Sequence, residues 1–187
     1  MGQVASAQRA TPATGLREFS EQRIRHQKVL GLALGSYSLA NIAIGSLAAS
    51  RTSGEAMYFH RMNVYWNLIN LGIAGVGLLG LRKQNPNGET LAQAIRQQQT
   101  MQQVLLFNAG LDVAYIVGGA YLRERSVTRP DRTDQLQAYG KSVMLQGGFL
   151  LVFDMVNYLI FKHRSDNQQE QLLGVTPSGV GIVLPIR

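Results

Sequence analysis

Two acids stand in this chain where acids are expensive. Asp112 and Asp154 are the only charged residues within four apolar stretches, 29–49, 62–81, 104–122 and 142–161, and no Lys or Arg falls in any of them. Two nearby carboxylates without a basic partner cannot both stay ionised and bare in low dielectric. They must share a proton, hold a cation, or take hydrogen bonds from neighbouring helices. Neutral polar groups surround them at helical spacing. Asn108 and Asp112 are i, i+4; Asp154 and Asn157 are i, i+3; Ser38 and Asn41 are i, i+3; and His60, Asn63, Asn67 and Asn70 form one stripe at i, i+3, i+7 and i+10. One use of such groups is proton or small-cation binding. The other is interhelical hydrogen bonding that sets register, worth about 0.6 kcal/mol per pair.

These residues need helices to place them. Each apolar stretch is close to the ~20 residues that cross a hydrocarbon core, so the fold expected is all-α, a bundle of four transmembrane helices. Short connections make sequential helices antiparallel, which lets depth be counted from the face carrying the N-terminus. At 1.5 Å per residue Asp112 and Asp154 lie ~12 and ~11 Å deep, Asn108 and Asn157 ~6 Å, and Asn41 and Asn70 ~18 and ~17 Å. Asp is thus expected opposite Asp and Asn opposite Asn, a polar ladder in which Asn67 also takes part. Nearer the other face, His60, Asn63 and Glu55 form a candidate interfacial site. Gly31 with Gly35, Gly45 with Ala49, and Gly110, Ala114 and Gly118 recur every four residues, a spacing that lets helix backbones approach closely.

The remaining chain supports the bundle. Residues 1–15 read as a flexible N-terminus and 16–164 as one membrane domain. Leu16, Phe19 and Ile24 share one face of a basic segment, 16–28, which reads either as a short amphipathic helix on the membrane surface or as a solvated lead-in. The run Asn85-Pro86-Asn87-Gly88 is turn chemistry, and a helix over 89–122 would be ~51 Å long, so the third helix should project into solvent. Residues 165–187 form a tail, polar and then punctuated by Gly and Pro; 180–184 could add to a partner sheet as a strand, though a loose tail fits the composition better. The first 27 residues hold no apolar run long enough for a secretory signal, although Ala5-Ser6-Ala7 has the form of a cleavage site, and Met1-Gly2 matches a myristoylation pattern that chance explains.

Composition excludes much else. Charged residues make up 16% of the 187, against roughly 25% in a soluble domain, and there is no Cys to staple a secreted fold. The three His, at 26, 60 and 163, have no metal-ligand spacing, and there is no phosphate-binding loop or nucleophile elbow. No metal, no cofactor and no enzymatic activity is therefore expected. Eighteen Lys and Arg against eleven Asp and Glu leave a charge of +7, which juxtamembrane contact with anionic lipid accounts for without nucleic acid. Lys and Arg are more numerous on the side of the N-terminus, middle loop and tail, which favours placing that side in the cytoplasm.

Several runs carry a family resemblance: Gly54-Glu55-Ala56-Met57-Tyr58-Phe59-His60-Arg61-Met62-Asn63 leading into Trp66-Asn67-Leu68-Ile69-Asn70-Leu71-Gly72, then Phe107-Asn108-Ala109-Gly110-Leu111-Asp112 with Gly118-Gly119-Ala120-Tyr121-Leu122, and Gln146-Gly147-Gly148-Phe149-Leu150 with Phe153-Asp154. Across about residues 16–173 the chain resembles a family of uncharacterised bacterial four-helix membrane proteins, classed as a domain of unknown function. The resemblance implies an integral protein of a bacterial envelope, and the membrane expected for it is the cytoplasmic (inner) one. Members often begin with a signal peptide, from which this chain departs. The function expected is a structural or interaction component, its partners the bilayer and either a second copy or another membrane protein. The alternative is a proton- or cation-coupled channel or transporter subunit using Asp112 and Asp154.

Overall fold

The computed structural model describes residues 12–173, 175–176 and 179–180, with side chains over 15–165. Four helices make up nearly all of it: α1 Pro12–Arg51, α2 Gly54–Leu81, α3 Leu91–Ser126 and α4 Thr133–Leu173. After α4, strands β1 (Val175–Thr176) and β2 (Gly179–Val180) pair antiparallel, two residues each, with Val175 opposite Val180. Residues 1–11 and 181–187, which include the Ala5-Ser6-Ala7 site and most of the candidate strand 180–184, lie outside the described residues.

Local chemistry explains the boundaries. Gly54 has φ +58°, a left-handed conformation that reverses the chain between α1 and α2. In the α2–α3 loop Asn87 N donates to Asn85 Oδ1 at 3.0 Å and Gly88 N to Asn85 O at 3.2 Å, closing the turn. Thr90 then caps α3 through a reciprocal pair: Gln93 N donates to Thr90 Oγ1, and Thr90 N donates to Gln93 Oε1. Pro130 opens a single 3₁₀ turn, Pro130–Arg132, before α4.

All four helices are long and apolar enough to cross a membrane. Their surface is inverted relative to a water-soluble domain. Large apolar side chains such as Val76, Phe107, Val117 and Val152 point outward, each more than 60% exposed, while Ser38, Asn67, Gln98, Ser142 and Gln146 are fully buried. That distribution suits hydrocarbon outside and hydrogen bonding inside.

Two hairpins build the bundle. α1 packs along α2 and α3 along α4, and α2 packs on α4 to join the halves, whereas α2 and α3 barely touch although consecutive in sequence. Gly31 and Gly45 make the first contact close, since a Cβ at either would sit 2.9 Å from Leu78 or Val64. The second is closer still. A Cβ on Gly119 would lie 2.7 Å from Gly140 O, and one on Gly147 2.9 Å from Asp112 O. Gly110, Ala114 and Gly118 lie instead on the outer, exposed face of α3, and Cβ atoms on the two glycines would meet nothing within 4 Å. The four-residue repeat alone does not say which face of a helix a partner occupies, and the partner of α3 sits over Gly119.

The separate surface helix expected at 16–28 is corrected. Those residues are the first turns of α1, continuous with the crossing. Their inward face packs on protein: Phe19, Ser20 and Arg23 are buried, and Arg23 Nη1 donates to Ala94 O of α3 at 3.3 Å. The extended starts of α1 and α3 and the end of α4 meet here. Gln98 Nε2 donates to Phe161 O at 2.8 Å, His26 stacks on Phe161 at 4.3 Å, and Arg164 Nη1 donates to Gln22 O at 3.1 Å. A face with another helix to cover it has no need of the lipid surface.

Candidate functional site

The gap between α2 and α3 is a groove of about 600 Å³. Apolar side chains form most of its walls, among them Ile69, Ile73 and Val76 from α2 and Val104 and Leu111 from α3. Leu34 of α1 and Leu150 of α4 lie behind them. Four polar residues of the sequence ladder also line it: Asn70, Asn108, Asp112 and Asp154.

The expected pairing of the two acids is present. Asp112 and Asp154 are buried, 2% and 6% exposed, and their carboxyl groups lie within hydrogen-bonding reach of each other. Position dictates this: α3 and α4 run antiparallel with their backbones drawn together at Gly147, whose missing Cβ leaves room beside Asp112 O. Asn108, one turn from Asp112, also faces Asp154. Asp112 Oδ2 is buried with no hydrogen-bond donor. Two carboxylates supply no hydrogen to each other, and a shared proton or a bound cation can complete that contact. Among the described residues no group of three or more His, Cys, Asp and Glu could hold a metal ion.

The rest of the ladder is rearranged. Asn157 does not face Asn108; its Oδ1 lies 3.1 Å from His26 Nε2, while its Nδ2 donates to Phe153 O at 2.7 Å. Asn41 and Asn70, expected at matched depth, are not bonded to each other. Asn41 Nδ2 donates to Tyr37 O of its own helix at 2.9 Å, and Asn70 Nδ2 is buried without a partner. Asn67 Nδ2 donates to Asn63 O at 2.8 Å, and Ser38 Oγ to Leu34 O at 2.8 Å. Depth constrains height but not azimuth, so residues at one level can still face different neighbours.

His60, Asn63 and Glu55 go separate ways. Asn63 Oδ1 accepts from Ser142 Oγ at 2.8 Å and Gln146 Nε2 at 2.9 Å, docking α2 on α4. Glu55 accepts from Lys141 Nζ at 2.5 Å on the exposed surface. His60, half-buried, meets Phe59 edge to face at 5.4 Å.

Three features of the site were not among the candidate site residues of the sequence argument. Trp66 lines the groove, its ring edge-on to Tyr115 at 4.7 Å and its buried Nε1 unpartnered. Ser142 and Gln146 are i, i+4 within the fourth stretch, the same signal used for the Asn residues. The third is a polar plug at the groove's end on the N-terminal side. Fully buried Arg23 donates to Glu89 Oε1 at 2.6 Å and to Gln84 Oε1 at 3.5 Å, Ser20 Oγ donates to Glu89 Oε2 at 2.7 Å, and Gln84 Nε2 reaches Gln27 Oε1 at 3.5 Å. Burial would raise the Glu89 pKa, but the bonds from Arg23 and Ser20 and the Arg23 charge outweigh it and hold it below its ordinary value. No local signal links residues so far apart in sequence.

Four membrane-length helices define a membrane protein, and an acidic pair lines a groove between two of them. The chain belongs to DUF6992, a family of unknown function, whose family model matches residues 33–155 and so takes in Trp66, Asn70, Asn108, Asp112 and Asp154. No curated protein and no solved structure matches the chain.

Proposed function

We propose that this chain is an integral protein of a bacterial inner membrane whose working part is the Asp112/Asp154 pair, binding a proton or a small cation within the α2/α3 groove. One observation carries this: Asp112 Oδ2 is buried at the groove with no donor. Hydrogen-bonded glue accounts for Ser38, Asn41, Asn63 and Asn157, each of which bonds a carbonyl or a side chain. It does not account for an acid left short of a hydrogen atom. Beyond the groove, Asn63, Ser142, Gln146 and Tyr37 form a bonded network across α1, α2 and α4, which favours a binding site over an open pore. No nucleic acid, cofactor or catalysed reaction belongs to this proposal.

A hydrophobic carbodiimide tests it, because such reagents add to membrane carboxyls that hold a proton. Mass mapping of the detergent-purified protein should find the adduct on Asp112 or Asp154, with slower labelling as a competing alkali cation is raised. Neither acid modified anywhere from acid to neutral pH would refute the site.

The outer face of α3 favours a second role as an interaction component. Gly110, Ala114 and Gly118 are exposed with room around them, a surface on which a second copy or another membrane helix could pack closely. Mass measurement in detergent checks this: self-association through that face should be lost in Ala114→Leu, and an assembly unaffected by the change would rule the face out.

A further inference from the structure

We infer that the α2/α3 groove binds a membrane-dissolved amphiphilic amine, its ammonium group on Asp112 and Asp154 and its hydrocarbon chain leaving sideways into the bilayer. This rests on the reading of the two acids as a cation site and adds the chemical class of the cation.

Charge complementarity comes first. The pair has no Lys or Arg within the four apolar stretches to neutralise it, and Asp112 Oδ2 still needs a donor. An ammonium supplies both charge and donors. The groove also offers donors of its own without acceptors. Asn70, 4% exposed, has a buried unpartnered Nδ2, and Trp66 has a buried unpartnered Nε1; both residues line the groove. A ligand satisfying acids and donors together carries an oxygen acceptor, such as a hydroxyl, close to its nitrogen. The Trp66 ring beside them is a further attraction for a cation.

The route of entry decides the rest of the molecule. Gln27 and Gln84 line one end of the groove and are tied there to the Arg23–Glu89 pair, whereas the backbones of α2 and α3 barely approach each other and Trp66 meets Tyr115 across the gap. On α2 the groove wall includes Gly77 and Gly80, where a Cβ would meet nothing within 4 Å. Ile69, Ile73 and Val76 beside them are 62%, 59% and 72% exposed. A hydrocarbon chain fits that wall, and about 600 Å³ is the size of pocket that encloses a molecule of this scale. A phospholipid suits it poorly, since its phosphate would be carried toward two acids.

Trp66 is the only Trp in the chain, so its fluorescence reads the groove directly. Detergent-solubilised protein titrated with N-dodecylethanolamine should give a saturable change in emission. Dodecanol and dodecyl sulfate, lacking the cation, should require roughly tenfold more or fail to saturate, and ethanolamine, lacking the tail, should give no response. The Asp112→Asn/Asp154→Asn double variant should lose the response while keeping its helical circular dichroism. Gly77→Leu, which leaves both acids untouched, should weaken it by filling the wall. Equal responses to dodecanol and the amine, or an undiminished response in the double variant, would overturn the inference, and a response to ethanolamine alone would overturn entry from the bilayer. Carbodiimide labelling separates the two levels of failure. If the reagent still modifies the pair but the amine neither binds nor protects it, the cation site stands and the amine falls; if neither acid is modified, both fall.

Discussion

A buried polar atom without a partner costs about 1–3 kcal/mol, which makes individual residues informative here. In Asp112→Asn the new amide can donate to Asp154, so the fold should survive with a thermal midpoint at or above that of the parent. Asp112→Leu removes the group that shares the Asp154 proton, and the expected loss is about 1–3 kcal/mol, measured by denaturation in mild detergent. An Asn variant that melts as readily as the Leu variant would show that the pair plays no hydrogen-bonding part. The Arg23–Glu89 ion pair is a second sensitive point, its side chains 0% and 8% exposed. Removing one partner from a buried pair typically costs about 3–5 kcal/mol, and Arg23→Met should fall in that range. Because the folded Glu89 carboxyl is held below its ordinary pKa, its contribution is complete above the unfolded carboxylate range and fades as pH falls through the folded value. Glu89→Gln should therefore flatten the acid limb of the stability profile; an unchanged limb would assign acid sensitivity to other groups.

Among the helices, the closest approach is the crossing of α3 and α4. Adding one methyl at Gly119 would bring it 2.6 Å from Met144 Cγ and 2.7 Å from Gly140 O, so Gly119→Ala should cost about 1–3 kcal/mol through forced separation of the backbones. Its neighbour makes the control. Gly118 faces outward with nothing within 4 Å of a Cβ, and Gly118→Ala should be neutral or stabilising by up to about 1 kcal/mol from helix propensity. Thermal melts followed by circular dichroism distinguish the two, and equal effects would mean that α3 is rotated from the position described. The same rotation decides what the groove contains, since turning α3 would withdraw Asp112 from it.

Across the molecule as a whole, four antiparallel helices put Arg17 and Asn87 at one end of the bundle and Thr52 and Thr128 at the other, all exposed. The chain has no Cys, so single-cysteine variants at these positions report cleanly. An impermeant maleimide added to intact cells should label Thr52→Cys and Thr128→Cys, while Arg17→Cys and Asn87→Cys react only after permeabilisation. That orientation follows from the greater number of Lys and Arg on the N-terminal side. Labelling of Arg17→Cys and Thr52→Cys from the same side would be incompatible with a first crossing.

Helix number and approximate extent were legible in the sequence because they depend on chain length and hydrophobicity, which a linear reading counts directly. The stripe of Asn63, Asn67 and Asn70 and the encounter of Asp112 with Asp154 follow from that counting together with antiparallel neighbours. Azimuth does not. Whether Asn157 meets Asn108 or His26, whether Gly118 or Gly119 faces α4, and whether Phe19 lies on lipid or on protein all depend on how each helix is rotated about its own axis. Contacts among several helices at once set that rotation. The groove is a still more collective property, because it exists where α2 and α3 fail to meet while α1 and α4 hold them, and no segment of sequence encodes a gap. The chemistry of the acids could be read from two letters in an apolar run; the unfilled bond of Asp112 beside the free donors of Trp66 and Asn70 was decided by the tertiary packing alone.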